Sequence, residues 1–191
     1  MRVALYFGSF NPIHAGHQKL AEYLIDNKIV DEVWFVISPC NPLKDQRDLL
    51  DEYIRLDMLV FAIQDNPEFK ACDIEFTMPI PSYSIDTLHA LSTQFPDYQF
   101  KLIIGSDNAL VFDQWKDYGQ ILKEYPVLVY PRLGYNFAEV ADKYPQMQLL
   151  NSPYYEISSS QIRDSIALKK DVSQWLHPSV LQFIKDHNLY Q

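Results

Sequence analysis

The sequence predicts an α/β fold: a parallel sheet with helices on both faces and a small helical extension at the C-terminal end. Three observations carry this. Short, continuously apolar runs recur along the 191 residues, as strands buried on both faces do. Segments of helical period alternate with them. Glycines close two of the runs, at Gly8 and Gly105, where a strand would turn into a helix. One domain over residues 1–191 is expected, with its helical C-terminal part beginning near residue 158. No internal repeat or low-complexity linker interrupts it.

The elements follow in order. Val3–Phe7 is a buried strand ended by Gly8, and Ala15 to Asn27 a helix with Leu20, Tyr23 and Leu24 on its apolar side. Val33–Ile37 is a second strand, stopped by Ser38-Pro39. Leu49 to Gln64 is a long helix ended by Asn66-Pro67. Phe69 to Phe76 is expected as a strand. Pro79 and Pro81 break the chain, and a helix follows from Ser84 to Gln94. Phe100–Ile104 is a strand closed by Gly105, followed by a helical segment containing Trp115, Ile121 and Leu122. Val127–Tyr130 and Met147–Leu150 are the last strands. Ser160 to Leu168 and Pro178 to His187 are helices. In such sheets ligands bind beyond the carboxyl ends of the strands, the edge on which Gly8 and Gly105 fall.

Composition narrows the function. Sixteen basic against twenty-five acidic side chains give a formal charge of −9, which argues against a nucleic-acid or anionic-membrane partner. A small local basic site for a phosphate remains compatible with it. Two cysteines without secretory features, and no apolar stretch near the roughly 20 residues of a membrane helix, point to a cytoplasmic protein with reduced thiols. The oligomeric state stays open, a homo-oligomer included.

The chemistry gathers in Gly8-Ser-Phe-Asn-Pro-Ile-His-Ala-Gly-His17. Strand, glycine turn and helix is a geometry that points backbone N–H groups at an anion, and Gly8 would let a phosphate approach the main chain. His14 and His17 fall one turn apart on one helix face, where their charge would add to the positive end of the dipole. Packing or metal ligation is the alternative, but neither cysteine has a metal-like spacing and no metal ligand set is expected. Near the other end, Ser158 and Gln161 form an S-x-x-Q capping box. Arg163, placed in the first turn, opposes the dipole there and is better explained by a bound anion. Tyr83 and Trp115 are aromatics on connections outside the strands, suited to packing or to a flat ring. Asp107 could cap the next helix or meet a ligand.

Together these motifs resemble a known family. Gly8 to His17 looks like the H-x-G-H signature of the nucleotidyltransferases. More narrowly the chain resembles bacterial nicotinate-nucleotide adenylyltransferases, the NadD family. Pro81-Ser-Tyr-Ser-Ile-Asp-Thr-Leu88 is similar to its P-S/T-Y-T-x-D-T-L element. Gly105-Ser-Asp107 with Phe112 and Trp115 is similar to its G-x-D…F…W segment, and Ile157-Ser-Ser-Ser-Gln-Ile-Arg163 to its I-S-S-T-x-I-R motif. Asn41-Pro-Leu-Lys44 with Arg55 and Met58 resembles its proline-containing loop and next helix. H-x-G-H alone marks only the superfamily; Tyr83, Asp86-Thr87 and Trp115 narrow it.

The resemblance implies a Rossmann-like fold and transfer of AMP from ATP to nicotinate mononucleotide, giving deamido-NAD and pyrophosphate, with Mg²⁺ held mainly by the ATP phosphates. It implies His14, His17 and Arg163 as catalytic residues. On the ATP side it implies Gly8, Ser9, Phe10, His14, His17, Ile104, Gly105, Asp107, Ser158, Ser159 and Arg163. On the mononucleotide side it implies Ser9, Phe10, Lys44, Ser82, Tyr83 and Trp115, with Asp86 and Thr87 as loop supports. Tyr130-Pro-Arg132 reverses the family's arginine-proline order, which leaves Arg132 without an assigned contact. Two other readings stand beside this one. The first is a different adenylyltransferase of the superfamily, acting on nicotinamide mononucleotide or phosphopantetheine. The second is a regulator that binds nucleotide without turning it over.

Overall fold

The structure is a computed structural model that describes residues 1–39, 48–135 and 137–191. Six strands form one sheet: β1 (Arg2–Gly8), β2 (Glu32–Ile37), β3 (Phe69–Cys72), β4 (Gln99–Gly105), β5 (Val127–Tyr130) and β6 (Gln148–Leu149). Their order across the sheet is β3-β2-β1-β4-β5-β6, every neighbouring pair parallel, as expected. The described helices are α1 (Ala15–Asp26), α2 (Glu52–Ile63), α3 (Ser84–Gln94), α4 (Ser106–Leu110), α5 (Tyr118–Glu124), α6 (Phe137–Lys143), α7 (Ser159–Ala167) and α8 (Pro178–Asp186). None of the described helices is long and apolar enough to cross a membrane.

The period of two along each strand builds two core layers. From β1, Ala4 and Tyr6 join one layer, with Leu20 and Leu24 of α1, Met58 and Leu59 of α2, Ile162 of α7 and Val180 and Ile184 of α8. Val3 and Leu5 face the other, with Ile85 and Leu88 of α3, Phe112, Ile121 and Val140. The C-terminal helices therefore complete a layer of the main core. The strand order reverses between β1 and β4, and this is where a ligand crevice opens in such sheets.

Three expectations change. The strand expected to reach Phe76 stops at Cys72, because Ile74–Thr77 winds into a 3₁₀ turn and carries Glu75 inward. The helical segment expected around Trp115 divides into α4, a 3₁₀ turn at Phe112–Gln114, and α5. Trp115 itself is extended between the last two, at φ −78° and ψ 143°. Short α6 was not expected; seven residues hold too few turns for a periodic signal.

Arg55 locks the sheet edge that carries the crevice. Asp51 caps α2 by accepting from the Tyr53 N–H at 2.9 Å, and one turn in Arg55 is 0% exposed. Its guanidinium donates to the carbonyls of Ser9 (2.7 Å), Ser38 (2.9 Å), Pro39 (3.2 Å) and Leu50 (2.8 Å). Burial pulls its pKa down, while Glu52 and Asp51 oppose that pull. An arginine stays charged under such pressure.

Replacing Arg55 by Met should destabilise the fold by at least about 3 kcal/mol, since several carbonyls lose a charged donor at once. Urea unfolding with an unchanged m-value checks this. Arg55→Lys should recover only part, because one ammonium cannot span the same four acceptors.

Candidate active site

The site begins where β1 ends. Phe10 adopts φ +45°, a left-handed conformation rarely taken by a bulky residue, and its ring is buried at 2% exposure. A Cβ on Gly8 would lie 2.8 Å from that ring, so Gly8 makes room for Phe10. Gly16 has a comparable reason: its Cβ would meet Ile157 at 2.8 Å and the His14 ring at 3.1 Å.

The helix that follows does not offer its first N–H groups to an anion, contrary to the sequence expectation. The Ala15 N–H donates to the Trp175 carbonyl at 2.8 Å, the Gly16 N–H to His14 Nδ1 at 3.1 Å, and the His17 N–H to the His14 carbonyl at 2.9 Å. His14 is the N-cap, and the His14 N–H donates in turn to His17 Nδ1 at 3.3 Å. Nδ1 of each ring accepts a backbone N–H, which leaves Nε2 to carry the ring proton. The helix start is closed, and its donor capacity passes to two imidazole N–H groups.

The two rings stack with centroids 3.7 Å apart, and His17 also packs edge-on against Phe10 at 5.1 Å. Burial, aided by Arg132, lowers the His14 pKa to about 3. His14 is therefore a neutral donor at working pH, which corrects the expectation that its charge reinforces the helix dipole.

The opposite wall comes from α7. The predicted capping box is present: Ser158 Oγ accepts from the Gln161 N–H, and Gln161 Oε1 accepts from the Ser158 N–H. The Ser159 hydroxyl donates to the Pro12 carbonyl at 2.9 Å, and the Arg163 guanidinium to the Asn11 carbonyl at 3.0 Å. Arg163 is the fifth residue of α7, in its second turn. The first-turn dipole argument thus gives way to one from position: its guanidinium reaches the loop bearing His14.

Two connected cavities occupy the crevice. One, of about 430 Å³, is lined by Ser9, Phe10, His14, His17, Asp107, Arg132, Ser158, Ser159, Ser160 and Arg163, with Asn11, Asp48, Leu49 and Ile157. The other, of about 250 Å³, is lined by Ser82, Tyr83, Trp115, Lys116, Ile103, Ile104 and Gly105, with Ser38, Glu75, Ser84 and Gln114. Tyr6, Phe7, Gly8, Asn108 and Tyr130 border both and join them into one crevice. One cavity is rich in cationic and N–H donors, and the other is aromatic.

Ile104 and Gly105 fall in the aromatic cavity rather than among the histidines and Arg163 with which the sequence grouped them. Gly105, not Asp107, caps α4. Asp107 Oδ2 faces Arg132 Nε at 3.6 Å, while Oδ1 is buried without a partner, as is Trp115 Nε1. Unpartnered buried polar atoms in a cavity are open to a ligand's hydroxyls or acceptors. Lys44 lies outside the described residues.

Three site residues escaped the sequence reading. Arg132 enters the cationic cavity although Pro131 and Arg132 reverse the family order; its N–H donates to the Ser106 hydroxyl at 2.9 Å. Glu75, 2% exposed, accepts from the Ser82 hydroxyl at 2.6 Å and the Thr87 hydroxyl at 2.8 Å. Burial pushes its carboxyl pKa up. It fixes the segment from Ser82 to Thr87 that carries Tyr83, and a lone acid between Ile74 and Phe76 was the available signal. Lys116 stands beside Trp115, paired with Asp86.

The cytidylyltransferase-like family profile matches residues 5–165. A Bacteroides fragilis protein named "Probable nicotinate-nucleotide adenylyltransferase" is 44% identical over 96% of this chain and 90% of its own length. A Flavobacterium psychrophilum protein of the same name is 41% identical over the full length of both. In fold, the chain is similar to Plasmodium falciparum nicotinic acid mononucleotide adenylyltransferase complexed with NaAD. The TM-score is 0.84 at 23% identity, over 99% of this chain and 97% of that one.

His14 sets a pH dependence of stability. Its folded pKa of about 3 lies below the ordinary value of 6.5, so the unfolded chain binds the extra proton. Stability from this group is present above pH 6.5 and is lost as pH falls towards 3. Between pH 7 and 5 the wild type should lose about 2 kcal/mol more than His14→Asn, whose side chain can still cap the helix. Urea unfolding at the two pH values checks this.

Proposed function

The chain belongs to the cytidylyltransferase-like family and, within it, to the nicotinate-nucleotide adenylyltransferases. From that premise we propose that its crevice transfers AMP from ATP to nicotinate mononucleotide, giving deamido-NAD and pyrophosphate. One observation carries the site assignment: a cationic, N–H-rich cavity opens directly into an aromatic one at the reversal of strand order.

The chemistry fits these parts. The 5′-phosphate of the mononucleotide, with a second pKa of about 6, is mostly dianionic at pH 7. It attacks the α-phosphorus directly: a phosphate oxygen–phosphorus bond forms, the bond to the bridging oxygen breaks, and pyrophosphate leaves with the electron pair. No general base is needed. The obstacle is the approach of one anion to another, so catalysis rests on positioning and on donors aimed at developing charge.

In this reading His14 and His17 donate Nε2–H groups to the triphosphate, with His17 nearest the transferring phosphate. Arg163 and Arg132 supply fixed positive charge, and Ser158, Ser159 and the main chain of Ser9 and Phe10 complete the phosphate wall. Asp107 Oδ1, buried and unpartnered, suits a ribose hydroxyl of ATP. Trp115 and Tyr83 hold the pyridine ring. Among the described residues the histidines sit beside Arg132 and Arg163, a donor set suited to anions, with Asp107 facing Arg132. Among the described residues no group of His, Cys, Asp and Glu forms a metal-ligand set. ATP would enter as its magnesium complex, in which the ion would neutralise charge on the phosphates.

Incubating the protein with ATP, Mg²⁺ and each mononucleotide, then identifying the product, tests the reading. Deamido-NAD and pyrophosphate are expected, with nicotinate mononucleotide preferred over nicotinamide mononucleotide by well over tenfold in kcat/KM. Turnover of neither mononucleotide rejects it. His17→Ala should lower kcat by roughly a hundredfold or more and raise KM for ATP far less, as loss of a donor realised mainly in the transition state does. Steady-state kinetics separate the two parameters.

A further inference from the structure

The aromatic cavity has a charge pattern that the aromatic rings and the main chain do not account for. Among its described lining residues only Glu75 and Lys116 are ionisable as acid or base at neutral pH. Glu75 is buried and already holds two hydroxyls. Lys116 is different. Its ammonium lies 2.8 Å from Asp86 Oδ2 and 4.8 Å from the centroid of the Tyr83 ring, and its side chain is 42% exposed. The backbone fixes it there: Trp115 is extended and Asp117 takes φ +50°, so neighbouring residues 115 and 116 both line the cavity.

Resting on the functional reading above, we propose that Lys116 is a specificity-determining residue, selecting a pyridine ring that bears a carboxylate over one that bears an amide. A flat ring held by Trp115 and Tyr83 has its substituent within the field of Lys116, the one lining ammonium among the described residues. A carboxylate is attracted and an amide gains little. Asp86 orients Lys116 across the mouth and also competes with the substrate for it, so the contact is graded. Tyr83 meets the same ammonium through its ring face.

The test compares kcat/KM for nicotinate and nicotinamide mononucleotides, alongside calorimetric binding of each, in wild type, Lys116→Met, Lys116→Arg and Asp86→Asn. Lys116→Met should lower the acid-to-amide ratio at least about fivefold, the size of a partly exposed charge contact. Lys116→Arg should keep most of the ratio, and Asp86→Asn should raise it. The wild-type ratio should also fall with added salt more steeply than that of Lys116→Met. An unchanged ratio in Lys116→Met, or an equal loss with both mononucleotides as from a packing defect, overturns the proposal. A wild type that makes no dinucleotide defeats the functional reading instead. The binding preference then still decides on Lys116, since a preference lost in Lys116→Met supports it and one retained refutes it.

Discussion

The crevice depends on a buried guanidinium. Arg55 holds the carbonyls of Ser9, Ser38, Pro39 and Leu50, which follow β1, follow β2 and precede α2. Three chain segments that a parallel sheet would only leave near one another are thereby set in one relation. The consequence propagates along the first of them. With the Ser9 carbonyl fixed, the chain turns through Phe10 at positive φ, and that ring fills the space over Gly8 and supports His17. A position that a bulky residue seldom adopts persists when its surroundings over-determine it, and Arg55 is a large part of those surroundings.

What that support delivers is donor direction rather than charge. A helix start ordinarily binds anions with its own N–H groups. Here those groups are occupied by His14 and by the Trp175 carbonyl. The reciprocal cap makes each imidazole a relay, accepting at Nδ1 from the backbone and presenting a proton at Nε2. Stacking at 3.7 Å makes two adjacent cations costly, and burial keeps His14 neutral. Among the described residues of this cavity, Arg132 and Arg163 supply the positive charge. The division suits a reaction in which nothing must be deprotonated.

The parts of this arrangement legible in the sequence were those written in long patterns. Strands buried on both faces leave unbroken apolar runs, and β5 and α3 fall on their expected residues. The S-x-x-Q cap at Ser158 was legible because both partners are local. What escaped is short or non-local. Glu75 was hidden in an apparent strand because the turn that buries it spans only four residues. Arg132 was set aside on the order of two residues, whereas its place depends on where β5 ends. The use of the α1 N–H groups could not be read at all. One of their acceptors, Trp175, lies 160 residues further along the chain.

That distance points to the last constraint, the meeting of the two ends of the chain at Asn11. Its carbonyl accepts from Arg163 at 3.0 Å, its Oδ1 from the Tyr190 hydroxyl at 2.7 Å, and its Nδ2 donates to the Asp48 carbonyl at 2.8 Å. Burial pushes the Tyr190 hydroxyl pKa up, so it remains a proton donor to Asn11. Ser159 adds a bond to Pro12 beside it. The C-terminal helices therefore do two jobs with one set of contacts. They bury Ile162, Val180 and Ile184 in the main core, and they fix the loop from which His14 projects. Loosening α7 would leave the central β1, β2 and β4 pairing intact, yet it would remove Arg163 from the cavity and with it the bonds from α7 to the Asn11 and Pro12 carbonyls. The cationic cavity is thus a property of the whole docked chain, while the aromatic cavity is built by residues 38 to 130 with the end of β1.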